Sequence, residues 1–403
     1  MVDAEVSMLN ELQLLGFSLL ILWTTLYLLY RIMRLNRFGV EFKPYLTILW
    51  RTKKLNRMVS RLAAKFSNFW HKLFTLGCFL AVGELLFTLN FFTQNILSFY
   101  RGGAVQPVIP LIPGITISLS SLHYFILAAL LVFIFHEMSH AIAARIEGIK
   151  VKDIGLMFMV LIIGGFVELD DEDMDRVPLS SKLKILSSGS TMNLLTGIIA
   201  TLLLINLYLV LSPLYLPSSG VVIVDVLDNS PADSAGIVYG DIILGINGIR
   251  IYNTVEFTKI LSGIPANTTV ILNLLRGNLA VKGGAHPYNP KIVYLGVRVF
   301  NYYPLRIPLP RQFQMFPWHL YNFLNWFEVI SISAALINML PIPFFDGDRF
   351  FENLFKHPIF NRRTIFFMNR KMALGKALTD TLRIASILLL LLNISQSMGF
   401  IYP

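Results

Sequence analysis

Phe133-Ile134-Phe135-His136-Glu137-Met138-Ser139-His140-Ala141-Ile142-Ala143-Ala144 sets two imidazoles and a carboxylate inside an apolar run that extends over residues 121 to 143. A run of that length crosses about 30 Å of hydrocarbon as a helix. Side chains four apart on a helix share a face and lie roughly 6 Å apart, so His136 and His140 suit two corners of a tetrahedral zinc site. Glu137, between them in sequence, is placed to move protons beside the same metal. Ionisable groups at membrane depth are costly unless partnered, which makes a functional role the default reading of this trio.

The rest of the chain supplies the lipid setting. Of 403 residues 55% are hydrophobic and 14% charged, against roughly a quarter charged in an ordinary soluble domain. The mean hydropathy is +0.63. A net charge of +10 raises the question of nucleic acid, but the Lys and Arg residues lie between apolar runs and not on a soluble fold, so membrane topology explains them and no nucleic-acid partner is expected. The single cysteine, Cys78, excludes an intrachain disulfide and a CxxC metal site.

Apolar runs near residues 12–30, 73–93, 121–143, 184–211, 320–342 and 378–400 predict six transmembrane helices. The first follows Asp3, Glu5 and Glu11 and lacks a basic leader or a small-residue cleavage site, so a retained anchor is expected. Basic residues crowd the loop from Arg31 to Lys72 and the segment from Arg349 to Lys376, which places both in the cytoplasm of a multi-pass protein of the cell membrane. Between Asp153 and Glu168 a Gly-interrupted, β-branched run too short to span predicts a re-entrant β-hairpin. Residues 212–319 change to short β-branched stretches separated by Gly, Asn and Pro, which predicts a small β-rich domain outside the membrane. The fold class is therefore an α-helical polytopic membrane protein with an inserted β-rich domain. Its parts are 1–120 (two helices and a basic loop), 121–211 (zinc helix, hairpin and following helix), 212–319 (β-rich domain and linker) and 320–403 (second half of the core and last helix).

Catalytic zinc takes three protein ligands, and the third candidate is Asp346, which follows Pro341 and Pro343 at the end of the fifth run. The prolines break the helix and free Asp346 to turn inward; the competing reading is a solvated Asp-Gly turn. Asp348 is expected to face water beside Arg349. The acidic stretch from Glu168 to Asp175 reads as a solvated face and not as a second metal site.

The zinc helix, Gly165-Phe166-Val167-Glu168, and Asn338-x-x-Pro341-x-Pro343 followed by Asp346-Gly347 together resemble the site-2 protease family of intramembrane metalloproteases. Leu111-Ile112-Pro113-Gly114-Ile115 and Trp50-Arg51-Thr52 are similar to the branch that contains the sterol-responsive eukaryotic enzyme. The serine-rich and cysteine-rich insertions of that enzyme are absent, which points to a prokaryotic relative. The resemblance implies a Zn2+ ion on His136, His140 and Asp346, with Glu137 as catalytic acid–base. It also implies cleavage of single-pass membrane proteins after a first extracytoplasmic cut.

Asn338 would contact substrate or cap its own helix, and Asn193, preceded by Ser190 where many relatives have proline, is a weaker counterpart. Gly165 and Phe166 belong to the hairpin expected to present substrate as an added strand. Gly220 to Val226, Ser230-Pro231-Ala232, Gly240-Asp241-Ile242-Ile243 and Ile246-Asn247-Gly248 are similar to a permuted PDZ domain. In that likeness Ser219 and Gly220 would hold a peptide carboxylate, or the domain would act only as a steric filter. Two other readings stay open: a membrane metal transporter or PDZ scaffold, and a different zinc hydrolase such as a prenyl-protein protease.

Overall fold

The computed structural model describes residue 17 and residues 20–43, 47–51, 53–159, 162–367 and 370–398. It divides into a helical unit, residues 1–199 and 326–403, and a β-rich unit, residues 200–325.

The helical unit opens with α1 (Leu20–Ile32). The expected first span falls in part outside the described residues. Next come β1 (Val40–Lys43), β2 (Thr47–Arg51), α2 (Lys53–Lys65) and the long α3 (Ser67–Tyr100). They are followed by α4 (Leu122–Ile146), β3 (Val151–Met159), β4 (Ile162–Leu169), α5 (Asp171–Arg176) and α6 (Leu179–Ile205). Among the described residues, five helices are long and apolar enough to cross a membrane, and α3, α4 and α6 are the first three.

Burial along α3 runs through Phe74, Gly77, Ala81, Glu84, Leu85, Thr88, Phe92 and Asn95. That three-to-four spacing is one helix face. Leu76, Phe79, Leu86 and Phe87 are exposed, as expected where the solvent is lipid. In α6 the packed face is small and polar, Ser187, Ser188, Ser190 and Thr191 all being buried. Small residues let helix backbones approach closely without a hydrophobic driving force.

The basic segment after α1 is more than the loop expected for it. Its strands join the predicted hairpin in one antiparallel sheet of order β1-β2-β3-β4. The apex of the hairpin, residues 160–161, lies outside the described residues. Arg51 of β2 explains the assembly, because its guanidinium reaches Asp153 of β3 at 2.7 Å, Glu168 of β4 at 2.9 Å and Glu41 of β1 at 3.3 Å. One cation thus ties four strands. The acidic stretch also does more than face solvent, since Asp170 caps α5 by accepting from the amides of Glu172 and Asp173.

The β-rich unit begins with α7 (Leu207–Leu211) and β5 (Val221–Val226) and continues through α8 (Pro231–Ser234), β6 (Ile242–Ile246), β7 (Ile249–Arg250) and α9 (Thr254–Ser262). Strands β8 (Thr269–Leu274), β9 (Gly277–Lys282), β10 (Gly284–His286), β11 (Asn289–Tyr294) and β12 (Val297–Asn301) follow. Its main sheet has the order β12-β5-β6-β8-β9, with β7 on β6. Inward residues such as Val221, Ile223, Ile243, Ile246, Val270 and Leu272 form a dry core with Phe257 of α9.

The chain continues with α10 (Phe316–Asn338), which enters the helical unit at Trp326, and completes that unit with α11 (Asp346–Phe355), α12 (Pro358–Asn361), the hairpin β13 (Thr364–Phe367) and β14 (Arg370–Ala373), and α13 (Leu374–Met398). Asn95 donates to Asn393 at 2.8 Å and so ties α3 to α13.

Gly155 of β3 lies opposite Arg51 and Phe166 in the sheet, and a Cβ there would collide with the Trp50 carbonyl and stand 2.7 Å from the Phe166 ring. At Gly164 the nearest obstacle to a Cβ is a flexible Met157 methyl at 3.9 Å. Gly155→Ala is therefore expected to destabilise the helical unit by about 1–3 kcal/mol, with Gly164→Ala close to neutral, as measured by thermal unfolding in detergent.

Candidate metal centre

His136 and His140 lie on the buried side of α4, and Asp346 is the first residue of α11. The chain reaches Asp346 by leaving the helix at Asn338, passing Pro341 and Pro343, and turning at Phe344, whose φ is 81°. The two Nε2 atoms are 3.2 Å apart, and Asp346 Oδ2 lies 3.2 Å from that of His136 and 3.0 Å from that of His140. Among the described residues this is the group of His, Cys, Asp or Glu side chains whose ligand atoms converge, all within 4.8 Å.

The surroundings select the tautomers a metal needs. His140 Nδ1 donates to the Ile185 carbonyl at 2.8 Å, which leaves the Nε2 lone pair facing Asp346. His136 Nδ1 meets the Asn193 amide at 3.0 Å. A metal on His136 Nε2 requires Nδ1 to carry the proton, and the Asn193 oxygen is its acceptor once the amide is turned by a half rotation. That turn also satisfies Asn193 Oδ1, which otherwise stays buried without a partner. Asn338 donates to Asp346 Oδ2 at 2.7 Å and fixes the carboxylate.

Two glycines make the space. A Cβ on Gly189 of α6 would stand 2.5 Å from the Nε2 atoms of both histidines, so the face of α6 opposite the ligands is bare where an ion would sit. A Cβ on Gly165 of β4 would stand 2.5 Å from Glu137 Cγ, so this strand lies directly along the acid. Glu137, His136, Asn193 and Asn338, with Phe133 and Phe345, line a cavity of about 280 Å³. Two nitrogens, one carboxylate oxygen and an open side fit catalytic zinc, whose sites keep a position free for water or substrate.

Other expected residues lie elsewhere. Phe166 does not line the cavity: strand alternation turns it away from Gly165, and its ring packs 5.4 Å from the Arg51 guanidinium. Ser219 and Gly220 already donate their amides to the carbonyls of Tyr302 and Tyr252 at 3.0 and 3.2 Å, so neither is free for a peptide carboxylate. Asp348 does not face water beside Arg349; it is buried and paired with Arg383 of α13, whose Nη2 lies 2.9 Å away. The close approach of Gly189 and the anchor at Arg383 had no signal in spacing, since both are set by a neighbouring helix.

Zinc per purified chain tests the ligand set. About one ion is expected in the parent protein, with loss from His140→Ala, Asp346→Ala and Gly189→Ala, the last because its methyl occupies the ion's space; zinc retained by Gly189→Ala counts against this geometry. Arg383→Gln strands a buried carboxylate two residues from a ligand, and unfolding in detergent should register a loss of about 2–4 kcal/mol.

The pattern of Peptidase family M50 matches residues 124–375. Curated relatives include a membrane-bound transcription factor site-2 protease homolog of Arabidopsis thaliana, 27% identical over 51% of this chain and 40% of its own length. An uncharacterized protein of Methanocaldococcus jannaschii is 31% identical over 42% of this chain and 41% of its own. A Clostridium perfringens protein, named provisionally as a zinc metalloprotease, is 29% identical over 38% of this chain and 52% of its own. The matched part thus spans about half or less of each relative. The family match covers the zinc helix, the hairpin and Asp346 in one span, and the chain belongs to peptidase family M50, the site-2 protease family of metalloproteases.

Proposed function

We propose that this multi-pass membrane protein is a zinc endopeptidase that cuts membrane-embedded segments of other proteins. The observation that carries the reading is the convergence of His136, His140 and Asp346 beside Glu137, with the outer strand of a sheet, β4, running along that carboxylate.

A substrate helix hydrogen-bonds its own backbone and must be opened before an amide can be attacked. The edge position of β4 supports a role in holding the opened segment as an added strand, which meets its backbone donors and acceptors within protein. Bound zinc supplies Lewis acidity and lowers the pKa of a water toward neutrality. The Glu137 carboxylate takes a proton from the attacking water and returns it to the leaving amide nitrogen. Asn338 holds Asp346 Oδ2 and lines the cavity where the substrate carbonyl would lie.

The basic segments from Arg31 to Lys72 and from Arg349 to Lys376 support a cytoplasmic assignment for both, and the β-rich unit then lies outside the cell membrane. Its substrates would be single-pass proteins already trimmed by another protease, admitted by a β-rich unit that is PDZ-like or simply size-selective. Among the described residues β12 is an outer strand of its sheet, which favours it over the Ser219–Gly220 turn as a place for an added peptide strand. Glu137, a proton carrier between the histidines that metal transport does not need, argues against that reading.

Glu137→Gln is expected to keep its zinc and lose cleavage of a purified single-span substrate by at least about 100-fold, read by mass spectrometry of the products. Full turnover in that variant, or cuts confined to the substrate's soluble part, would sink the proposal.

A further inference from the structure

A second polar cavity, of about 560 Å³, opens at the end of the bundle where α4 stops, and it is lined by Asn56, Arg57, Ser60 and Arg61 of α2 together with Arg145 of α4. We propose that it binds the phosphate of an anionic phospholipid headgroup.

The helix α2 builds one side of it by its periodicity. Leu55, Val59, Leu62 and Ala63 face inward and pack with Ala141, Ile142, Ala143 and Ala144 at the end of the zinc helix. Asn56, Arg57, Ser60 and Arg61, spaced by three and four, share another face. Packing on protein therefore consumes the apolar face and leaves the basic face open.

The charges are uncompensated from within. Among the described residues no carboxylate pairs with Arg57, Arg61 or Arg145. Of the acids of this end, Asp153 and Glu168 pair with Arg51, Asp170 with Lys152 and Glu147 with Lys184. Arg145 donates through Nη2 to Asn56 Oδ1 at 2.9 Å, while its Nε is buried with no partner. The Ser60 hydroxyl donates to the Asn56 carbonyl at 2.9 Å, so the donors left for a ligand are guanidinium groups. Forked, planar and permanently charged, they select a phosphate-type oxyanion.

Position chooses the source of that phosphate. Arg145 is one residue from the end of a membrane-spanning helix, and α3 enters the membrane from Ser67, just beyond α2. The apolar Phe66 and Phe69 at this junction are exposed. A basic amphipathic helix joined to membrane spans lies at headgroup level, where anionic lipid is concentrated.

The test uses the purified full chain in zwitterionic detergent, titrated with short-chain phosphatidylglycerol, short-chain phosphatidylcholine or inorganic phosphate. Saturable binding of about one phosphatidylglycerol per chain is expected, weakened about 30-fold in Arg57→Gln/Arg61→Gln and about fivefold in Arg61→Gln alone. Arg31→Gln/Arg37→Gln removes the same charge outside the cavity and should weaken it less than about threefold. Equal loss in the two double variants would show diffuse surface attraction and overturn the site. Equal binding of phosphatidylcholine would also overturn it, and inorganic phosphate binding as tightly as the lipid would overturn the lipid assignment. None of these readouts depends on proteolysis.

Discussion

Two imidazoles in the second half of a membrane-length helix and a carboxylate are held within hydrogen-bonding distance of one another, and much of the helical unit packs to keep them there. Each polar group in lipid is tolerable only with partners. The Ile185 carbonyl and the Asn193 amide take the outer nitrogens of the histidines, and Asn338 takes the carboxylate. Every inner donor atom is thereby turned toward a common point.

That convergence dictates the character of the neighbouring helices. Because α6 must lie against the ligands without filling the space between them, its facing residue is Gly189 and its packed surface is built of serine and threonine. Because α10 must deliver a ligand from its end, it stops before Pro341 and Pro343. The helix after the break is then pinned to α13 through Asp348 and Arg383. The carboxylate expected to face water beside Arg349 is thus the anchor of this turn.

The sheet sets a separate feature of the site, the run of β4 along Glu137. A lone hairpin is marginal. Two further strands from the basic segment, and a single arginine contacting carboxylates on three of the four strands, back β4, which is an outer strand of the sheet among the described residues. Gly165 on that strand removes the one atom that would separate backbone from acid.

Composition and hydrophobic run length determined that the chain lives in lipid and where five long apolar helices lie, and the change to short β-branched stretches marked the β-rich insert. These properties are local, set by residues close together in the sequence. The two candidate ligands on α4 were legible for the same reason, since helical periodicity fixes which side chains share a face, whereas the proline break left Asp346 open between an inward ligand and a solvated turn until the structure brought it to the histidines. Phe166, Asp348, Gly189 and Arg51 were decided only by tertiary structure. The Arg51 guanidinium over its ring and a distant partner, Arg383, set the first two, while helix approach and cross-strand carboxylates set the others. A residue's role there depends on what lies opposite it in space, and sequence spacing carries no information about that neighbour.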